Sequence, residues 1–358
     1  MTRRKKVTLR MIADRLGVTV HTVSKALRGL PGMSESTRRE ISEAARELGY
    51  RTKAQAAGLS AEQIPWPGAG KPRRFALLMT GEAPFHHLQV EGLHQRLHEL
   101  GHVLTTVVLP KPLQTESGLL EWMERSGLLF LDGLFLPPGL PEWMELALVR
   151  LPLPVVMINY PPDGSLADSV IWDVQHAVHL SLNQMYEEGH RRILFVGDTR
   201  TQRGFRLRWQ AFLDACQRLG LPMSPDEHVT GPPGTGTDWL NSLTAKLADG
   251  GYTAVLCALN RDVTWAAVAL ERAGLTVPGH VSLIGTDHEA HPAYPGLTRP
   301  VLLVREAAER AAELMLRRIG SPLLPFEHVR LRGGAFFRGE TLGPPPRESR
   351  QLAGGREG

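Results

Sequence analysis

The chain has 358 residues and a formal net charge of +4, and it contains no apolar run approaching the ~18 residues that a membrane-spanning helix needs. The modest total hides an asymmetry: through Ser60 there are 13 Arg and Lys against 5 Asp and Glu, a balance of +8, which leaves −4 for the remainder. A basic head on a mildly acidic body is the electrostatic signature of one part that displaces counterions from phosphates and another that does not.

The opening MTRRKKVTLR is followed by no apolar secretion core, so a cytoplasmic, nucleoid-associated protein with no membrane partner is expected. Leu9 to Arg28, LRMIADRLGVTVHTVSKALR, reads as two short helices joined by a tight turn, a DNA-reading helix-turn-helix. Ala13 is small where the helices must touch, and Gly17 is free to take the positive φ of the turn. Ile12, Leu16, Val18, Val23 and Ala26 fall where a small core is needed. Thr19 stands at the N-cap of the second helix, leaving Val20, His21, Thr22, Ser24, Lys25 and Arg28 to face outward towards base edges or phosphates. Thr8, just before the first helix, joins this DNA-facing set. An ordinary helical hairpin with basic decoration is the competing reading, and the local charge argues against it. A third helix starts at Ser34, with Glu35 in the first turn where the helix dipole favours an acid. Ile41, Ala44, Ala45 and Leu48 repeat at helical spacing, and Gly49 is the expected stop.

Residues 60–74, SAEQIPWPGAGKPRR, are rich in Pro and Gly and mark a domain boundary. Beyond Phe75 short apolar runs alternate with amphipathic stretches. FALLMT from Phe75, VLTTVV from Val103, LFLDGLFL from Leu129, VVMIN from Val155, ILFVG from Ile193, AVLCA from Ala254 and VSLIG from Val281 read as buried parallel strands. Helices are expected over Leu88–Leu100, Val174–Glu188, Phe205–Leu219, Val263–Ala273 and Glu306–Ile319, with Gly101, Gly189, Gly220, Gly274 and Gly320 as stops. Such alternation predicts doubly wound parallel sheets in two lobes, with a ligand at the carboxyl ends of the strands. Cys216 and Cys257 are expected as free core thiols. The polar tail GPPPRESRQLAGGREG reads as disordered.

The run VTLRMIADRLGVTVHTVSKALRG, then SESTRREISEAARELGYR, resembles the head of the LacI/GalR (lac-repressor-type) bacterial transcription regulators over about 50 residues. EEGHRRILFVG, RLRWQAF, VPGHVSLIGTD and PGLTR resemble landmarks of that family's periplasmic-binding-protein-like effector domain. The resemblance implies a helix-turn-helix head (1–50), a hinge helix and linker (51–74), a two-lobed α/β effector and dimerisation domain with parallel sheets (75–340), and a tail (341–358). It implies a homodimeric repressor that binds a pseudo-palindromic operator, with Val20 and His21 reading bases and Ser24 and Lys25 nearby. Arg28 stands where the family usually has Asn. Leu59 would be the minor-groove wedge of the hinge helix, with Ala56 at its pairing face, although Gly58 inside that helix costs ~1 kcal/mol relative to Ala.

In the cleft, the resemblance assigns Arg208 to a ligand-binding arginine and Asp287 to an acid accepting from ligand hydroxyls or amines. Asn159 replaces an Asp, Tyr160 beside it offers a stacking face, and Phe85 and His86 lie at the mouth of the first lobe. The family's Cys-Ala-Asn-Asp run appears as Cys257-Ala258-Leu259-Asn260, losing two oxygen-binding groups, so a sugar acid stands beside a neutral sugar as the expected effector.

Rival chemistry is sparse. His87, Glu91, His94 and His98 share one helical face and could be metal ligands, but a solvated or interfacial face explains the same spacing. No cofactor is expected: GPPGTGTD from Gly231 lacks the Lys of a phosphate loop, and no nucleophile motif or dinucleotide fingerprint occurs. A cytoplasmic solute-binding protein, or less readily an enzyme on the same fold, remains the alternative.

Overall fold

A computed structural model describes residues 7–27, 30, 32–48, 50, 71–81, 86–111, 113–231, 237–287 and 291–346. The chain divides into two units, Met1–Trp66 and Pro67–Gly358.

The first unit holds α1 (Leu9–Leu16), α2 (Val20–Leu27) and α3 (Glu35–Leu48). Each start is set by a hydroxyl: Thr8 accepts from Met11 N at 3.4 Å, Thr19 from Thr22 N at 3.1 Å and Ser34 from Thr37 N at 3.2 Å. Gly17 ends α1 with φ 65° and returns its N–H to Ala13 O, which turns the chain sharply into α2. Ile12, Ala13, Val23, Ala26, Ile41, Ala44 and Ala45 are buried together, with Leu16, Val18 and Leu48 packed against them. Alanines at the contacts let three short helices approach closely. Arg28, Gly49 and the hinge residues Ala56, Gly58 and Leu59 lie outside the described residues.

The second unit contains two parallel sheets. One orders its strands β10-β5-β4-β3-β1-β2 and the other β6-β7-β8. The first sheet comprises β1 (Arg74–Met79), β2 (Val103–Val108), β3 (Gly133–Leu136), β4 (Val155–Met157), β5 (Asp168–Trp172) and β10 (His328–Leu331). The second comprises β6 (Ile193–Val196), β7 (Ala254–Cys257) and β8 (Ser282–Gly285). Two apolar clusters flank the first sheet and two more the second, as helices on both faces require. The helices are α4 (His86–Glu99), α5 (Glu116–Arg125), α6 (Glu142–Val149), α7 (Val174–Glu187), α8 (Arg203–Leu219), α9 (Thr237–Asp249), α10 (Asn260–Arg272) and α11 (Val304–Gly320). A short antiparallel pair joins β9 (Arg299–Pro300) to β11 (Phe336–Phe337).

The chain crosses between the lobes between β5 and α7, between β9 and α11, and between β10 and β11. Through the second crossing α11 returns to the first lobe, where Ala307, Ala308, Ala311 and Ala312 pack into the cluster that holds Phe75 and Phe135.

Several elements depart from the expectations. LFLDGLFL is not one strand: Leu128–Phe130 is a 3-10 turn, and only Gly133–Leu136 joins the sheet. The break falls at Asp132, whose carboxylate accepts from Arg74 N at 2.8 Å and Arg73 Nη1 at 3.0 Å. Gly101, Gly189, Gly220 and Gly274 take positive φ at helix ends, whereas Gly320 is the last residue of α11 and does not. The tail expectation is corrected over Thr341–Pro346. Thr341 and Leu342 are buried, Gly343 N donates to Ser282 Oγ at 3.0 Å, and Gly343 O accepts from His190 Nε2 at 2.8 Å. Residues 347–358 lie outside the described residues. Cys216 and Cys257 are buried free thiols. No described helix is long and apolar enough to cross a membrane.

Candidate effector cavity and DNA-reading face

On the head, the first turn of α2 carries the expected reading residues. Val20 and His21 are exposed, while Thr22, Ser24 and Lys25 are half-buried. Thr8 and Thr19 are exposed but already act as helix caps, and Thr19 Oγ1 also meets Thr22 Oγ1 at 2.8 Å. Lys25 folds over the following turn: a Cβ built on Gly32 would lie 2.7 Å from Lys25 Nζ.

In the second unit the carboxyl ends of the strands converge on a cavity of about 310 Å³ between the lobes. Asn159 and Tyr160 reach it beyond β4, Trp172 from the end of β5, Asp287 beyond β8, and Arg208 from the second turn of α8. Four of the six sequence-predicted effector residues therefore meet at one place. His86 does not; it starts α4, where its Nδ1 donates to Gly81 O at 2.9 Å and it borders a separate depression with His87 and His94. Phe85 lies outside the described residues.

Arg208 is the chemical centre of the cavity. It is 6% exposed, its Nη1 donates only a long 3.3 Å bond to Gly204 O, and its Nε has no hydrogen-bond partner among the described residues. Burial pulls its pKa below the usual arginine value, opposed by Asp287, Tyr160 and Asp262. A buried N–H without an acceptor costs about 1–3 kcal/mol, so a ligand oxygen placed there recovers what folding gave up. Asp287 accepts from Asn260 N at 3.1 Å, which ties it to the first turn of α10. Asn260 Oδ1 is buried with no partner among the described residues and offers an acceptor to a ligand hydroxyl. Just behind the wall, fully buried Asp262 accepts from Arg261 Nε at 3.3 Å, and burial pushes its carboxyl up to about 7.

Asn159 and Tyr160 hold the site together more than they face a ligand. Asn159 Oδ1 accepts from Tyr160 N at 2.8 Å and its Nδ2 donates to Glu145 at 2.8 Å. Tyr160 OH donates to Trp172 O and accepts from Val174 N, both at 3.1 Å, across the first interlobe crossing. Arg203, at the start of α8, pairs with fully buried Glu145 and donates through Nε to Tyr160 O at 2.7 Å. Sequence reasoning missed Gln202, Phe205, Trp172 and Arg261 in the lining, and it counted Asn260 only as a loss. The available signal was Phe205 and Arg208, three apart at the start of a helix, one bulky and apolar and one charged, sharing a face.

The proposed metal face contributes no such centre. Glu91 pairs with Arg305 at 3.1 Å, His94 and His98 stack at 6.1 Å, and among the described residues no group of three or more His, Cys, Asp or Glu could hold a metal ion.

A capped reading helix and an effector cavity between parallel-sheet lobes define a ligand-responsive, DNA-binding transcription regulator. Residues 8–53 match the bacterial regulatory proteins of the lacI family, and residues 182–341 match a periplasmic binding protein-like domain. The head is thus a lacI-family DNA-binding domain and the body carries a periplasmic binding protein-like domain. It is 27% identical over 331 residues to the HTH-type transcriptional regulator GalR of Salmonella typhimurium strain LT2, covering 90% of this chain and 92% of that one. It is 23% identical to the HTH-type transcriptional repressor PurR of Pasteurella multocida, covering 87% and 92%. Its fold is shared with the lac repressor dimer bound to operator and the anti-inducer ONPF, at TM-score 0.61 and 18% identity over 94% of this chain and 99% of that one. The transcriptional regulator CelR–cellobiose complex superimposes at TM-score 0.64 and 20% identity, over 94% of this chain and 100% of that one.

Proposed function

We propose that the chain acts in the cytoplasm as a homodimeric repressor of a pseudo-palindromic operator, and that a sugar or sugar acid in the interlobe cavity sets its affinity for DNA. The observation that carries this reading is Arg208, a buried guanidinium whose Nε has no partner among the described residues, in a cavity whose walls belong to both lobes. A ligand bearing neighbouring oxygens or a carboxylate completes it. Such a ligand touches α8 and α10 of one lobe and the β4 end of the other, so it binds the closed arrangement more tightly than an open one. Only that differential affinity couples the cavity to the head.

On DNA, two-fold symmetry places two α2 helices in successive major grooves, with Val20 and His21 at base edges and Ser24 and Lys25 nearby on base or phosphate. Leu59 acts as the minor-groove wedge between them. GalR and PurR relatives support the regulator, and the cellobiose-bound neighbour supports a carbohydrate-like ligand. Footprinting on genomic fragments tests the first half: a protected palindrome is expected, and uniform non-specific binding at physiological salt overturns it. Calorimetric titration with neutral sugars and sugar acids tests the second.

A further inference from the structure

A second cavity, of about 430 Å³, lies on the other side of Tyr160. Its walls come from the loop after β4 (160–165), from Ser169 and Ile171 of β5, from Arg203, Arg206 and Leu207 of α8, and from His328–Arg330 of β10. Tyr160 and Ile171 line both cavities, so the tyrosine ring is a shared partition.

The chemistry here differs from that around Arg208. Three guanidinium groups line the space, and Asp163 is the one carboxylate among the lining residues. Arg203 is committed to Glu145 and Glu142. Arg206 and Arg330 are not balanced in this way. Arg206 Nη1 donates to Arg200 O at 3.1 Å, and Arg330 Nη1 donates to the neutral amide of Gln175 at 3.0 Å while its guanidinium stands 5.5 Å from the Tyr160 ring centre. A second observation points inward: Ser165 Oγ is a buried hydroxyl with no hydrogen-bond partner among the described residues, although it lines this same cavity. Positive charge with no carboxylate partner among the described residues, together with an orphan donor in a concave space, calls for an acceptor-rich anion. The site shares Tyr160 and Ile171 with the effector cavity, but Arg206 and Arg330 do not line that cavity.

We propose that this cavity is a second ligand site, selective for a small anionic metabolite whose phosphate or carboxylate is held between Arg206 and Arg330 and hydrogen-bonded by Ser165. Its occupant bridges α8 of one lobe to β10 and the β4–β5 loop of the other. The site does not depend on the identity of the ligand beside Arg208.

The test is calorimetry on the full-length protein at constant ionic strength, titrating inorganic phosphate, pyrophosphate and citrate in parallel, with glucose as the neutral control. At least one anion is expected to bind saturably with one site per chain; the phosphate and citrate arms separate phosphoryl from carboxylate recognition. The double variant Arg206→Gln, Arg330→Gln alters exposed side chains, and its thermal unfolding should match that of the parent while its anion affinity falls at least ~10-fold, since two charge-assisted contacts are lost. Ser165→Ala should weaken binding ~3–10-fold by removing one hydrogen bond. Arg208→Gln should leave the anion titration in place while abolishing the response to the cleft effector, which keeps failure here distinct from failure of the cleft reading. Absence of saturable binding for all three anions overturns the proposal, as does binding that survives the double variant. Loss of anion binding in Arg208→Gln alone relocates the anion to the first cavity and also overturns it. If the double variant loses operator affinity without any small anion binding, the arginines serve nucleic acid and the metabolite site is refuted.

Discussion

His228 shows how one side chain fixes a pH dependence. It is 6% exposed, its ring meets Trp209 and Phe212 edge-on at 5.4 and 4.9 Å, and its Nδ1 accepts from Phe195 N at 3.2 Å. An accepting nitrogen cannot carry a proton, and burial pulls the pKa from 6.5 down to about 4. The unfolded chain therefore takes up a proton that the folded chain refuses. Its contribution is complete above pH 6.5 and drains away as the pH falls towards 4, reaching about 3 kcal/mol. Urea unfolding between pH 7 and pH 4.5 should show that loss, and His228→Leu should flatten the slope while lowering stability at pH 7. Arg208 makes the matching functional prediction. Arg208→Gln should cut effector affinity at least ~10-fold by removing a charge-assisted pair, while operator binding without ligand stays within about twofold in a mobility-shift assay. Arg208 and Asp287 were legible in the sequence because each sits in a short run whose neighbours define it. Glu145 was not, because nothing in EWMELALV distinguishes a buried carboxylate from a solvated one until Asn159 and Arg203 are brought to it from elsewhere in the chain.

Elements were legible where one local rule governed them. The head followed from linked spacings around Ala13, Gly17 and Thr19, and the central strands from continuous apolar runs such as ILFV and AVLC. Strand β5, DSVIW, was missed because its polar start looks exposed. In the fold Asp168 is buried within a fork from Arg318, whose Nε and Nη2 lie 2.7 and 3.1 Å from its oxygens, and Glu327 N donates to it at 2.8 Å. Those partners are about 150 residues away. Helix packing is set just as remotely. Gly92 of α4 lies against α11 so closely that a Cβ there would sit 2.5 Å from Arg305 O and 3.0 Å from the Ala308 Cβ. The obstacle is backbone, which cannot rotate away. Gly92→Ala should therefore destabilise by about 1–3 kcal/mol despite Ala's better helix propensity, read as a lower urea midpoint. If the variant is more stable, the two helices are not held at this distance.

At the scale of the molecule, Arg203 and Glu145 come from different lobes, and their pairing ties the two walls of the cavity together. Breaking it leaves a fully buried carboxylate with, among the described residues, the Asn159 amide as its remaining partner. Arg203→Ala should cost about 3–5 kcal/mol, and Glu145→Gln in that background should recover part of the loss. Both variants should also weaken effector binding, because the wall formed by Tyr160 and α8 loses its anchor. A thermal-shift series with and without effector reads both quantities. Arg203→Ala with unaltered stability would mean that the bridge is not maintained in solution.

The three interlobe crossings also dictate an order of events during synthesis. The second lobe draws its sheet and flanking helices from residues 174–285, all of which precede α11 and β10 in the chain. The first lobe begins earlier, at β1, yet it needs α11 to cover its alanine-lined face and β10 to close the edge beside β5. As the nascent chain emerges, the lobe started first is the one finished last. A chain that ends before residue 304 holds the whole second-lobe sheet beside a first sheet with an uncovered apolar face, a state that chaperones would bind and proteases would clear.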